Sequence, residues 1–209
     1  MKSTFWKKPK NVGFTLPELL VVLGIIAGLA TVAIPALTQR LQTSQETVTR
    51  ATLTNVRTAI LQHYRPEVFD QLPYPIDTAR VVHPQLAYLY VNPSTFTFPG
   101  DVGTDAWSYD PIAMRGWAGP YLTDSGTYLV DSSRGFFEDY GLDGDPSPVD
   151  GWGNPIVLQQ PVLQGGYPSA TNLEAARLVS AGPDGVLDTP PTVINPSVAE
   201  VNDDLLLPL

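Results

Sequence analysis

The sequence contains no cysteine, which excludes disulfide bonds and thiolate metal sites. Histidine is almost as scarce, because only His63 and His83 occur, and neither is spaced for metal binding or lies beside a nucleophile motif. A phosphate-binding loop, a dinucleotide-binding glycine motif and a nucleophile elbow are also absent from the sequence. We therefore do not expect an enzyme.

Lysine is missing after residue 10, and the four lysines, at positions 2, 7, 8 and 10, all lie at the start of the chain. The residues after position 13 carry eight arginines against 21 acids, a formal net charge of −13. So acidic a body repels phosphate backbones, so nucleic acid is not expected as a main partner. The same charge suits a divalent cation.

Composition predicts a mixed fold. The chain has 21 prolines and 17 glycines, which favour a loop-rich, β-containing part, and its 43% hydrophobic residues are enough for a core. Because a helical pattern occupies the N-terminal third, we expect an α+β protein in which a long N-terminal helix packs on a small antiparallel sheet with long loops.

A basic tract precedes an apolar run over residues 14–37, in which Glu18 is the only charged residue. At 1.5 Å per residue this run measures roughly 36 Å as a helix, against a hydrocarbon core of about 30 Å. The run therefore predicts a transmembrane or filament-core helix, with the N-terminus on the cytoplasmic side because of the basic flank. A cleavable secretory signal would place its small residue after the apolar run, whereas Gly13 comes before it. An unrelated membrane anchor is the alternative.

The junction closely resembles the N-terminal signature of type IV pilins and type II secretion pseudopilins, and it reads Gly13-Phe14-Thr15-Leu16-Pro17-Glu18-Leu19-Leu20. The resemblance implies that a prepilin peptidase removes residues 1–13 by cleaving after Gly13 and N-methylates Phe14. It also implies a single-pass inner-membrane protein before assembly and a periplasmic or cell-surface filament afterwards. The expected partners are copies of the chain, other pilins, the peptidase, an inner-membrane assembly platform and the membrane itself.

Two residues of the apolar run have individual expectations. A buried carboxylate such as Glu18 is costly alone, by roughly 2.5–3.5 kcal/mol on insertion scales, and is far cheaper when paired. In the pilin family the resemblance implies that this acid pairs with the N-terminal ammonium of a neighbouring copy during assembly. Pro35 is expected to kink or open the helix near residues 31–35, which in this family lets the subunit stretch.

An amphipathic pattern extends the same helix over residues 38–65, and Pro66 predicts its end. Residues 66–209 are predicted to form a globular, β-rich domain with a C-terminal acidic loop. Its short strand candidates are Tyr88–Val91, Thr95–Phe98, Tyr128–Val130 and Ile156–Leu158.

A turn at Asp150-Gly151-Trp152-Gly153-Asn154-Pro155 precedes the last of these candidates. It resembles a segment of the major pseudopilins, with Gly151 where that family usually has proline. We expect a tight turn with a buried Trp152 indole that leads into a strand.

The C-terminal acidic residues resemble the pseudopilin calcium loop. A Gly182-Pro183-Asp184-Gly185 turn follows a strand-like run, and Asp203 and Asp204 come later. The resemblance implies Ca²⁺ bound by Asp184, Asp203 and Asp204, with Asp188 as a possible substitute, since Ca²⁺ prefers oxygen ligands. Calcium would then tie down a loop that other pilins close with a disulfide. Two unrelated acidic turns are the alternative, and Asp143-Gly144-Asp145 lacks the full EF-hand pattern and favours an ordinary turn.

Taken together, these features indicate a structural subunit of a type II secretion pseudopilus or of a type IV pilus-like filament. The alternative is a minor type IV pilin that acts in adhesion or DNA uptake.

Overall fold

The computed structural model describes residues 14–68, 70, 72–73, 85–92, 109–161, 173 and 175–209. The chain divides into two compact units, residues 1–42 and residues 43–209. The helices are α1 (Leu16–Thr58), a π-helical turn (Ala59–Tyr64), α2 (Arg65–Glu67), 3₁₀ turns at Leu86–Leu89, Ser132–Arg134 and Glu138–Tyr140, and α3 (Val198–Val201). The strands are β1 (Gly126–Thr127), β2 (Pro146–Ser147), β3 (Val157–Gln159), β4 (Arg177–Ser180) and β5 (Leu205–Pro208). Helices and small antiparallel sheets therefore confirm the α+β class.

Helix α1 spans 43 residues and begins with a reciprocal cap. The Thr15 backbone N–H and hydroxyl donate to Glu18 Oε2 at 2.8 and 2.7 Å, and the Glu18 N–H donates to Thr15 Oγ1 at 3.4 Å. This is a capping box, which satisfies N–H groups that a helix start leaves unpaired. Gly13 lies outside the described residues, so cleavage there stays a prediction.

Beyond its first turn, the helical path contains two prolines, Pro35 and Pro66. Residues 31–35 stay within α1, so no break appears there, and the role of Pro35 in a stretching filament stays a prediction. At the other end, the predicted stop before Pro66 is wrong, because the π turn and α2 carry the path to Glu67. Pro66 occupies the first turn of α2, where its missing N–H leaves no hydrogen bond unmade.

Within the described residues, no helix combines the length and the apolar character that a bilayer crossing requires. The predicted single-pass inner-membrane localisation is therefore wrong. That expectation was drawn from the apolar run over residues 14–37, from its basic flank and from the resemblance to pilins.

The three-stranded sheet, in the order β3-β4-β5, forms the centre of the second unit. Successive side chains of a strand point to opposite faces of the sheet, so each strand contributes residues to the hydrophobic cluster on either side. On one face Leu158, Leu178 and Leu207 are aligned by the strand register and pack with Val56 and Ile60 of the helical segment. The opposite face, where Val157, Val179 and Leu206 are aligned, packs against the loop residues Tyr128, Phe136, Tyr140 and Leu187. Both faces are thus covered, which explains why every residue of β3 and β4 is buried.

The strand predictions had mixed outcomes. The run Ile156–Leu158 leads into β3 as expected. Tyr128–Val130 is not a strand, because β1 ends at Thr127, although the Tyr128 N–H still donates to the Asp145 carbonyl at 2.8 Å. Thr95–Phe98 lies outside the described residues. Tyr88–Val91 is not a strand, because Leu86–Leu89 forms a 3₁₀ turn whose residues are all buried. Periodicity cannot separate a short helical turn from a strand when every side chain is buried.

Candidate metal centre at the C-terminal acidic loop

The sheet brings the ends of the acidic segment together. In the antiparallel pair of β4 and β5, Ser180 lies opposite Leu205, so residues just after β4 and just before β5 meet at one edge. The turn after β4 carries Asp184 and is followed by Asp188, while Asp203 comes directly before β5. One carboxylate oxygen from each of these three residues lies within 4.8 Å of the others.

Hydrogen bonds hold the three carboxylates in place. Asp203 Oδ2 accepts the Asp184 N–H at 3.2 Å, and Asp188 Oδ2 accepts the Asn202 side-chain amide at 2.7 Å. Asp184 Oδ1 accepts the Val186 N–H at 2.8 Å. The ion pairs seen among the described residues, Arg50–Glu46 and Arg65–Asp70, involve none of the three. Three clustered carboxylates without a basic partner repel one another, which favours a cation between them.

Asp204 occupies a different place from the one predicted. It is buried, with 6% of its surface exposed, and its Oδ2 accepts both the N–H and the hydroxyl of Thr189 at 2.7 and 2.6 Å. Asp188, predicted as a possible substitute, therefore takes the position in the cluster that the resemblance gave to Asp204. Burial raises the pKa of Asp204 to about 6, an effect that the Thr189 hydrogen bonds oppose and that Asp188 and Asp203 reinforce by repulsion.

The residues present fit a hard cation. The buried oxygens Asp203 Oδ1 and Asp204 Oδ1 have no hydrogen-bond partner, although unpaired buried acceptors are costly. Asp203 belongs to the three-carboxylate cluster, so a cation bound there would find an acceptor that the protein leaves free. Only oxygen donors are present at this position, the set that Ca²⁺ prefers.

The buried side chain of Arg177 binds the segment between Asp188 and Asp203 back onto the sheet. Arg177 Nη1 donates to the carbonyls of Val193 and Ile194 at 2.8 and 3.2 Å, and its Nη2 donates to that of Pro190 at 2.8 Å. Its Nε and Nη2 also donate to Gln159 Oε1, both at 3.0 Å. The extra residues are therefore bound back onto the sheet. No motif in the sequence identifies Arg177, because its partners are backbone carbonyls.

The turn before β3 is organised by Asp150, which the sequence analysis named only as the first residue of the turn motif at residues 150–155. Its Oδ1 accepts the N–H groups of Trp152 and Asn154 at 2.9 and 2.8 Å, and its Oδ2 accepts the Ser180 hydroxyl at 2.8 Å. Asn154 in turn donates to the Gly182 carbonyl at 3.2 Å. An aspartate that binds backbone two residues ahead is a recognised turn signal, so this role was readable from sequence.

Trp152 is only partly buried, so the expectation of a buried indole is wrong. The anchor of the turn is the buried Asp150 carboxylate, with 5% of its surface exposed. Asp143 and Asp145, the other acidic pair, form an ordinary turn: their carboxylates accept the N–H groups of Val130 at 2.6 Å and Leu142 at 2.8 Å.

Gly151 contacts the helix directly. Its N–H donates to Thr49 Oγ1 of α1 at 2.8 Å, and a Cβ at this position would collide with the Gln45 carbonyl oxygen. Proline, which the resembled family usually has here, lacks that N–H and adds ring atoms. The departure from the family pattern thus matches a close contact with α1.

We predict that Gly151→Pro destabilises the protein by about 2 kcal/mol or more, since a buried hydrogen bond is lost and the ring meets the helix backbone. Urea unfolding would measure the change. Thr49→Val removes this acceptor and also the hydrogen bond that the Thr49 hydroxyl donates to the Gln45 carbonyl, and it should cost about 1 kcal/mol. An unchanged unfolding midpoint for Gly151→Pro would contradict the contact.

The raised pKa of Asp204 predicts a pH dependence. Because the pKa of Asp204 in the folded state, about 6, exceeds the ordinary aspartate value of 3.8, protonation favours the folded state. This stabilising contribution is full below about pH 4 and is lost as the pH rises through about 6. In the presence of a chelator, the melting temperature should therefore be higher at pH 5 than at pH 7. Asp204→Asn should flatten the slope, with a remainder from Asp145, whose pKa burial also raises. If the melting temperature of Asp204→Asn depended on pH as steeply as that of the unmutated chain, another group would be responsible for the dependence.

Comparison with family models, with curated proteins and with solved structures gives no match for this chain. Its function is therefore inferred from its residues and their contacts.

Proposed function

We propose that the chain is a structural subunit of a pilin-like filament, in which copies associate through the N-terminal part of α1. The observation that carries this proposal is the exposure of that part. Every residue from Phe14 to Leu29 is exposed, and large apolar residues such as Leu16 and Leu29 expose 72% and 66% of their surface. A helix that is apolar on all sides is normally buried inside a larger assembly.

We propose that other copies of the chain bury this exposed apolar surface of α1. Identical helices can bury one another on several faces at once, as an apolar surface on all sides requires. A contact between different faces of identical subunits generates a ring if the rotation closes and a helical filament if it does not. The pilin-like arrangement is part of this proposal, and it is supported by the packing of Leu53, Val56 and Ile60 against Leu158 and Leu178 of the sheet.

The processing step is proposed from the resemblance. A prepilin peptidase would cut after Gly13 and methylate Phe14, which would place the new N-terminus four residues before Glu18. In the isolated chain Glu18 is bonded to Thr15. In a filament, its carboxylate would pair with the terminal ammonium of a neighbour, because an ion pair is far cheaper to bury than a single charge.

Calcium is proposed as the ligand of Asp184, Asp188 and Asp203. The ion would neutralise their repulsion and occupy the free acceptor of Asp203, and so stabilise a loop that no disulfide can close. Together with the turn at Asp150, this loop favours a type II secretion pseudopilus over a type IV pilus as the assembly. The acidic body gives DNA uptake no support.

A charge on Glu18 is expected to be necessary for assembly. Glu18→Ala removes both the charge and the capping box, whereas Glu18→Gln keeps the cap, because glutamine serves equally well at that helix position. Filament yield, measured by shearing and sedimentation of cells that express each variant, should fall at least ten-fold for both. Full yield from Glu18→Gln would show that capping alone is needed, and full yield from both would overturn the assembly role.

Calcium should raise the melting temperature of the purified full-length chain, kept in solution with a mild detergent because of its exposed apolar helix. At a concentration one hundred times the dissociation constant, the stabilisation would be about 2.7 kcal/mol. Asp184→Asn should remove the shift, while Asp139→Asn, in a 3₁₀ turn away from the three-carboxylate cluster, should keep it. No shift with millimolar Ca²⁺ in the unmutated chain would refute the calcium site.

A further inference from the structure

Arg134 connects two turns that are distant in sequence. It ends the 3₁₀ turn Ser132–Arg134, and its guanidinium is 5.5 Å from the centre of the Phe136 ring. Its Nε donates to the Gly185 carbonyl at 2.7 Å, and its Nη2 donates to Asn154 Oδ1 at 2.7 Å. One planar, forked cation therefore holds both the turn beside the acidic cluster and the turn that begins at Asp150.

The turn that carries Asp184 is anchored at both ends. Gly185, at φ +71°, accepts from Arg134 through its carbonyl, and a Cβ there would collide with the Arg134 guanidinium. Gly182, at φ +63°, accepts from the Asn154 amide at 3.2 Å. Asn154 is itself oriented by Arg134 and by Asp150 Oδ2, to which its amide donates at 3.4 Å, so the Arg134 guanidinium takes part in both anchors.

The hydrogen-bond partners of Arg134 indicate whether it positions the turn or acts through its charge. Its described hydrogen bonds go to a carbonyl and to an amide, and none goes to an acid of the cluster. A positive charge near a calcium site opposes the ion by simple electrostatics, so if charge were the contribution of Arg134, removing that charge would tighten calcium binding. If it positions the turn, removing it weakens binding.

We propose that Arg134 is a positioning residue for calcium, acting through Gly185 and Asn154 to hold Asp184 in the geometry that binds the ion. This inference rests on the calcium site of the proposed function. Groups that orient metal ligands typically change affinity by about 10- to 100-fold when they are removed.

The test is calorimetric titration of the full-length chain with calcium chloride, together with melting in chelator. Arg134→Met should weaken calcium binding at least ten-fold. Arg134→Lys should weaken it similarly, because lysine keeps the charge but lacks the planar fork that reaches both partners. Arg50→Met is the matched control, since Arg50 pairs with Glu46 on the exposed face of α1, and its calcium affinity should not change.

The outcomes distinguish this inference from the calcium proposal. Unchanged or tighter binding by Arg134→Met overturns the positioning role alone. An unmutated chain that binds no calcium overturns the calcium site and the positioning role together. If Arg134→Met does not fold, Asn154→Ala leaves the guanidinium in place but removes the Gly182 anchor, and it should also weaken binding. Full calcium affinity in Asn154→Ala would then overturn the inference.

Discussion

The carboxylate of Asp150 is the interaction on which the rest of the globular unit depends. It is buried, it closes the turn before β3, and it accepts the hydroxyl of Ser180 at the end of β4. The residue after it, Gly151, bonds to Thr49 of α1, and Asn154 at the end of the turn bonds to Gly182. Helix, sheet and acidic loop therefore share one small turn. A charged group is tolerated inside because nearly all its acceptor capacity is satisfied.

Much of the fold was predictable where the sequence pattern was long or local. A run of helical periodicity predicted a helix, and the proline and glycine content predicted loops and short strands. Failures came where context decides. The run at Tyr88 is buried on every side and forms a 3₁₀ turn, and Pro66 was accommodated in a new first turn and did not end the helical path.

The acidic site was predicted in composition but not in arrangement. The Gly182–Gly185 turn and Asp203 were found from their resemblance to a calcium loop, and the sheet register then brings them together. Whether Asp188 or Asp204 joins them depends on which way each side chain points. Asp204 points to Thr189, and neighbouring residues in sequence do not reveal such a choice. Arg134 is equally hidden, because its partners lie in turns far away along the chain.

The segment between Asp188 and Asp203 is held by two chemically different kinds of interaction. Arg177 binds it through carbonyl oxygens, and an arginine stays protonated in proteins, so neither acidity nor metal supply alters that grip. If calcium binds the aspartates at the two ends of this segment, as proposed, withdrawing the ion would loosen those ends and leave the middle in place. In the proposed filament, the C-terminal strand would then keep its register while the surface beside it changed, and that surface would report the surrounding calcium concentration without unfolding.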